Sequence, residues 1–105
     1  MDLLVPDIFW AECGNIVWKA VWQNRLLRAE AEVALSSLIR RGIPTVPSMK
    51  LLEDAIIIAF DYGRSVYDSL YVALAIQSKK QLITADEHLA NALAARFPVK
   101  WLGAF

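Results

Sequence analysis

Ser65-Val66-Tyr67-Asp68-Ser69-Leu70-Tyr71-Val72-Ala73-Leu74-Ala75-Ile76 opens with a helix-start signal and then runs apolar on every face. In Ser65-Val66-Tyr67-Asp68 the serine hydroxyl can accept the amide of the fourth residue while the Asp68 carboxylate reaches back to the first, the pattern of a capping box. A helix with no polar stripe has no side to present to water, so the run from Val66 to about Ser78 is expected at the centre of the domain. Asp68 then enters the interior at the helix N-terminus, where capping and a ligand role can coexist.

Downstream, Gln81-Leu82-Ile83-Thr84 reads as a buried strand, Asp86 to Arg96 as a helix, and Val99-Lys100-Trp101-Leu102 as a final strand. Thr84 and Asp86 stand at the carboxyl end of their strand, where α/β folds place ligand sites, although either can simply cap the next helix. Upstream, Ser48 is positioned to cap a helix from about Met49 to Tyr62 that Gly63 stops, and Ile43-Pro44-Thr45-Val46-Pro47 allows only a weak or edge strand. A helix from about Gln23 or Asn24 to Arg41, ended by Gly42, carries Leu26, Leu27, Ala34, Leu35, Leu38 and Ile39 at helical spacing. The chain opens with the short strand Leu3-Leu4-Val5, then Pro6, with Asp7 expected to cap a helix over residues 8–22. Strands alternating with helices imply an α/β sandwich with parallel strands.

A chain of 105 residues fits one domain, and there is no internal repeat or low-complexity tract. Its apolar share is 57%, above the roughly 45–50% of typical domains. So small a domain buries only about 60–70% of the surface its unfolded chain exposes, which points to an oligomer. Eleven basic and eleven acidic residues cancel, leaving room for a local basic patch but not for a broad electrostatic grip on nucleic acid. Arg25, Arg28, Arg40, Arg41 and Arg64 are candidates for phosphate contact on faces that more often are only solvated. Cys13 is the single cysteine and reads as a small buried hydrophobe. With no basic leader at Met1 and no apolar run of about 18–20 residues, a cytoplasmic chain with no membrane span is expected.

On the first helix Glu12, Asn15, Lys19 and Gln23 fall at steps of three, four and four, a thin polar stripe on an apolar surface. Glu12 thus sits beside a buried region, either paired with Lys19 or Asn15 or contributing to a site. Glu12, Asp68 and Asp86, all near element ends, suit a hard cation, because Mg²⁺ or Mn²⁺ takes oxygen ligands and offsets carboxylate repulsion. His88 has no Ser or Cys partner pattern and reads as a surface residue. Trp10, Trp18 and Trp22 lie at helical spacing, which favours core or dimer packing over a base-stacking platform.

Three segments in order, Leu3-Leu4-Val5-Pro6-Asp7 with Glu12 and Asn15, then Ser65 to Ala75, then Leu82-Ile83-Thr84-Ala85-Asp86, resemble the second, third and fourth acid motifs of PIN-domain ribonucleases of the VapC toxin type. The resemblance spans nearly the whole chain. It implies a three-layer α/β/α PIN-like sandwich with a mainly parallel sheet, formed by residues 1–105 as a single domain. It further implies that Glu12, Asp68 and Asp86 are catalytic and hold one or two Mg²⁺ or Mn²⁺ ions, with Thr84 and Asn15 against the substrate. The implied activity is hydrolysis of RNA phosphodiesters, and the implied partners are RNA and a cognate antitoxin protein.

Members of that family begin with a further strand ending in aspartate and a helix, which nothing before Leu3 supplies, so an N-terminally truncated fold is expected. Its neighbours' exposed edges would favour a rearranged sheet or a strand-exchanged homodimer. Loss of one ligand leaves a second reading open, a non-catalytic PIN remnant that binds RNA or protein. A third, a receiver-like or nucleotide-binding domain, has no glycine-rich phosphate loop to support it.

Overall fold

Val5 and Phe9, both fully buried, fix the start of the fold by anchoring the first strand and first helix in one core. The computed structural model describes residues 3–78 in full and the backbone of residues 81–84 and 99–101. Its elements are β1 (Leu3–Pro6), α1 (Ile8–Trp22), α2 (Arg28–Ile39), β2 (Thr45–Val46), a 3₁₀ turn (Ser48–Lys50), α3 (Leu52–Tyr62), α4 (Val66–Ser78), β3 (Gln81–Thr84) and β4 (Val99–Trp101). The expected helix over residues 86–96 lies outside the described residues, as does Leu102.

The strands form one sheet in the order β2-β1-β3-β4, and every pairing is parallel. Leu3 and Leu4 pair with Gln81 and Leu82 of β3, whereas Val5 and Pro6 pair with Thr45 and Val46 of β2. β1 is therefore flanked on both sides within one chain. β2, between two prolines, occupies the edge, as the missing proline donors require.

Helix α4 packs on β1 and β3, and α3 packs on α4. Ser69 to Ala75 are all buried, so the helix expected at the centre is there; Ile76, which belongs to the same apolar run, is half exposed at its end. Gly63 closes α3 with φ +66, a left-handed conformation that an L side chain resists, and only Arg64 and Ser65 separate it from α4. Gln77 Nε2 donates to Asp54 Oδ2 at 2.8 Å, tying the end of α4 to the start of α3 so that the two helices run antiparallel.

Three expectations of local structure are corrected. Asn24 does not begin the second helix; it ends the first. It adopts φ +58, while Arg25 N–H donates to Ala20 O at 2.8 Å and Asn24 N–H to Val21 O at 3.0 Å, a Schellman arrangement with asparagine in the position glycine usually takes. α2 consequently starts at Arg28.

Asp7 and Ser48, each expected to cap a helix, cap neither. The Asp7 carboxylate instead accepts both the Ser48 hydroxyl and the Ser48 amide, the latter at 3.0 Å. This clasp joins the β1–α1 turn to the segment after β2, beside the backbone bond from Asp7 N–H to Val46 O at 3.0 Å. The α helix after Ser48 starts only at Leu52.

The tryptophans divide. Trp10 packs edge-on against Phe9, with ring centroids 5.1 Å apart, and its Nε1–H donates to Thr45 Oγ1 at 2.9 Å. Trp18 and Trp22 are exposed, so packing in the core of the chain holds for Trp10 and not for them.

Candidate functional site

Glu12 lies in the second turn of α1, half-buried, and the hydroxyl of Tyr71 donates to its carboxylate Oε1. Tyr71 is only 1% exposed and belongs to α4, so this bond joins elements 59 residues apart in sequence. Of the two alternatives open for Glu12, pairing with Lys19 or Asn15 or a place at a site, the bond to Tyr71 is the contact the structure shows.

Asp68 occupies the first turn of α4, where the oriented peptide dipoles favour a negative charge. Its amide donates to Ser65 Oγ at 3.1 Å, which is the backbone half of the expected capping box. Its carboxylate takes a different partner from the one expected: Arg64 Nη1 donates to Oδ2 at 3.3 Å. Asp68 and Tyr71 are three residues apart and so share one face of α4. The Tyr71 hydroxyl thus ties Glu12 to α4 one turn after Asp68.

Asn15 follows Glu12 by one turn on α1 and is exposed. Thr84 is the last residue of β3, where it pairs with Trp101 of β4. Asp86 and His88 lie outside the described residues, and so does the side chain of Thr84. Among the described residues no three of His, Cys, Asp and Glu gather to hold a metal ion, and the third expected acid is not one of those residues. Of the three acids, Glu12 is tied to Tyr71, one helical turn from Asp68 on α4, and Asp86 lies outside the described residues.

Sequence reasoning missed Tyr71 and assigned Arg64 only to phosphate contact. The spacing held a signal for both: Arg64 stands four residues before Asp68 and Tyr71 three after it, on one helical face.

Next to Glu12, Cys13 is 3% exposed, and its thiol is pushed up to about 11 from an ordinary 9.0, first by burial and then by the Glu12 charge. It stays protonated near neutrality and offers no nucleophile. The Asp7 carboxyl is held below its usual value by the hydrogen bonds from Ser48. No helix among the described residues is long and apolar enough to cross a membrane.

The PIN domain family model matches residues 2–93. The chain is also 32% identical over 96 residues to Ribonuclease VapC3 of Pyrobaculum aerophilum, an alignment covering 90% of this chain and 73% of the relative. The match takes in β1, α1 with Glu12, α4 with Asp68, and β3, which are the segments whose geometry is described above. Sequence motifs, parallel sheet and family match agree, and the chain belongs to the PIN-domain family.

Proposed function

We propose that the chain is a metal-dependent endoribonuclease of a toxin–antitoxin pair, cleaving RNA at a site formed by Glu12, Asp68 and Asp86. The observation that supports this reading is the hydrogen bond from Tyr71 to Glu12, which ties a carboxylate of α1 to α4 one turn after Asp68. Ribonuclease VapC3, the relative, carries the activity in its name.

The donors at this place are carboxylate oxygens, a set that fits Mg²⁺ or Mn²⁺ rather than a softer ion. Glu12, Asp68 and Asp86 would hold the ion, which when bound lowers the pKa of a water and stabilises phosphoryl charge. The chain's own part is positional. Tyr71 keeps Glu12 from turning away to solvent, and the first turn of α4 holds Asp68 with its amide fixed by Ser65. Thr84 and Asn15 are assigned to the RNA.

Arg64 favours a second reading, in which the chain binds RNA or protein without catalysis. Its guanidinium already balances Asp68, so a cation must displace it or share the carboxylate. Calorimetric titration with Mn²⁺ separates the two readings, with Asp68→Asn and Glu12→Gln alongside. Heats lost in both variants, together with cleavage of a mixed RNA pool by the native chain, support the nuclease. Equal heats in all three proteins, with no cleavage, would leave the binding module.

A cognate antitoxin and a second copy of this chain complete the proposed partners. Leu52, Ile57, Phe60 and Met49 expose large apolar groups on and before α3, and Phe60 is 80% exposed. That surface supports a homodimer, with strand exchange as the alternative geometry. Sedimentation of Phe60→Glu, expected to shift from dimer to monomer, tests it.

A further inference from the structure

Trp18 and Trp22 are one helical turn apart on α1, their ring centroids 6.0 Å apart and their planes 14° from parallel. They are 58% and 74% exposed. Stacking covers one face of each ring and leaves the outer face of the pair open. From Cys13 to Ala29 the chain has no Asp or Glu, but it has Lys19, Arg25 and Arg28. Glu32 balances Arg28 at 3.1 Å, whereas among the described residues the Arg25 guanidinium donates only to the neutral Oε1 of Gln23, at 2.8 and 3.0 Å. Lys19 makes no ion pair among the described residues. A chain of net charge zero thus concentrates uncompensated positive charge around two open indoles.

The patch lies on the same helix as Glu12, farther toward its C-terminal end, with Trp22 and Trp18 about 80° and 120° round the axis from it at about 100° per residue. Asn15, Trp18, Lys19 and Trp22 are all exposed on α1 beyond Glu12. At a rise of about 1.5 Å per residue, Trp18 and Trp22 lie roughly 9 and 15 Å along the axis from Glu12. We infer that this stripe is a binding track for single-stranded RNA, with a base stacked on the Trp18–Trp22 pair and phosphates against Lys19 and Arg25. Flat aromatic faces beside cations are the chemistry by which single strands are held without sequence preference.

A second copy fits the patch less well. A two-fold contact centred there would set Lys19 and Arg25 against their own counterparts.

The inference rests on RNA being the substrate, but its test is separate. Anisotropy of a labelled mixed-sequence single-stranded RNA is followed in EDTA, so that nothing is cleaved, with circular dichroism as the folding control. Trp22→Ala is expected to weaken binding about tenfold, and Trp22→Phe to restore most of it. Lys19→Ala is expected to lower the slope of log affinity against log salt by about 0.7. Unchanged RNA affinity in the double variant Trp18→Ala/Trp22→Ala would overturn the track; if that variant instead dissociates a dimer, the patch belongs to a second copy. Intact RNA binding with no Mn²⁺ binding would sink the nuclease reading and leave the track standing, and the reverse result would do the opposite.

Discussion

Helices α4 and α2 have nearly the same length, 13 and 12 residues, but Ser69 to Ala75 are all buried in α4 whereas Ala31 alone is buried in α2. α4 is enclosed by β1, β3 and α3, so the methyl groups of Leu70, Val72, Ala73, Leu74 and Ala75 count toward the core. α2 meets mainly α1, across a cleft of about 320 Å³ lined by Cys13, Val17, Leu35 and Leu38. Local devices compensate: Glu30 accepts the Leu27 amide at 2.9 Å, and Arg28 pairs with Glu32. Packing sustains one helix, and capping and charge sustain the other. The acidic site is built on the enclosed helix and the aromatic patch on the open side.

If that contrast holds, Leu74→Ala gives the largest loss. Leu74 is 2% exposed, and its truncation leaves a cavity that the surrounding sheet and helices cannot close, so chemical denaturation is expected to show a loss of about 2–5 kcal/mol. A loss below about 1 kcal/mol would mean that α4 is not enclosed.

Tyr71→Phe keeps the packing and removes only the hydroxyl that holds Glu12. We expect a loss of about 1–3 kcal/mol and weaker Mn²⁺ binding. Unchanged Mn²⁺ heats in a folded variant would show that Tyr71 does not position the acid.

Cys13 bears on the boundary between the two regions. Below about pH 9 its thiol is neutral in both the folded and the unfolded chain. Between about 9 and about 11 the unfolded chain ionises first, so stability falls as pH rises, by no more than about 1.4 kcal/mol per pH unit. Cys13→Ala is expected to flatten that decline, and iodoacetamide to label the folded native chain slowly. Rapid labelling at neutral pH would show that α1 opens readily from α2.

The smallest effect is expected at Arg28→Ala. Both partners of the Arg28–Glu32 pair are largely exposed, so the loss is about 0.3–0.5 kcal/mol and vanishes at high salt. A loss of several kcal/mol would mean that α2 depends on this pair far more than its exposure allows.

The central helix was legible because an apolar run after a cap signal admits few alternatives, and the prolines around Thr45 and Val46 announced an edge strand. The caps were less legible. Asp7 and Ser48 each have the side chain a helix start calls for, but a carboxylate and a hydroxyl 41 residues apart in sequence found each other instead. Asn24 was ambiguous for a related reason, since asparagine serves helix starts and left-handed ends alike.

By itself, the sequence determined the order of the described strands and helices along the chain, because periodicity and element-end chemistry are local properties. It also placed Asp68 at the head of a buried helix. Tertiary structure alone decided that Glu12 meets Tyr71 and that Trp18 and Trp22 face water while Trp10 packs on the core. Those outcomes depend on how α1 and α4 are set against the sheet, and no local pattern encodes a contact between side chains 59 residues apart.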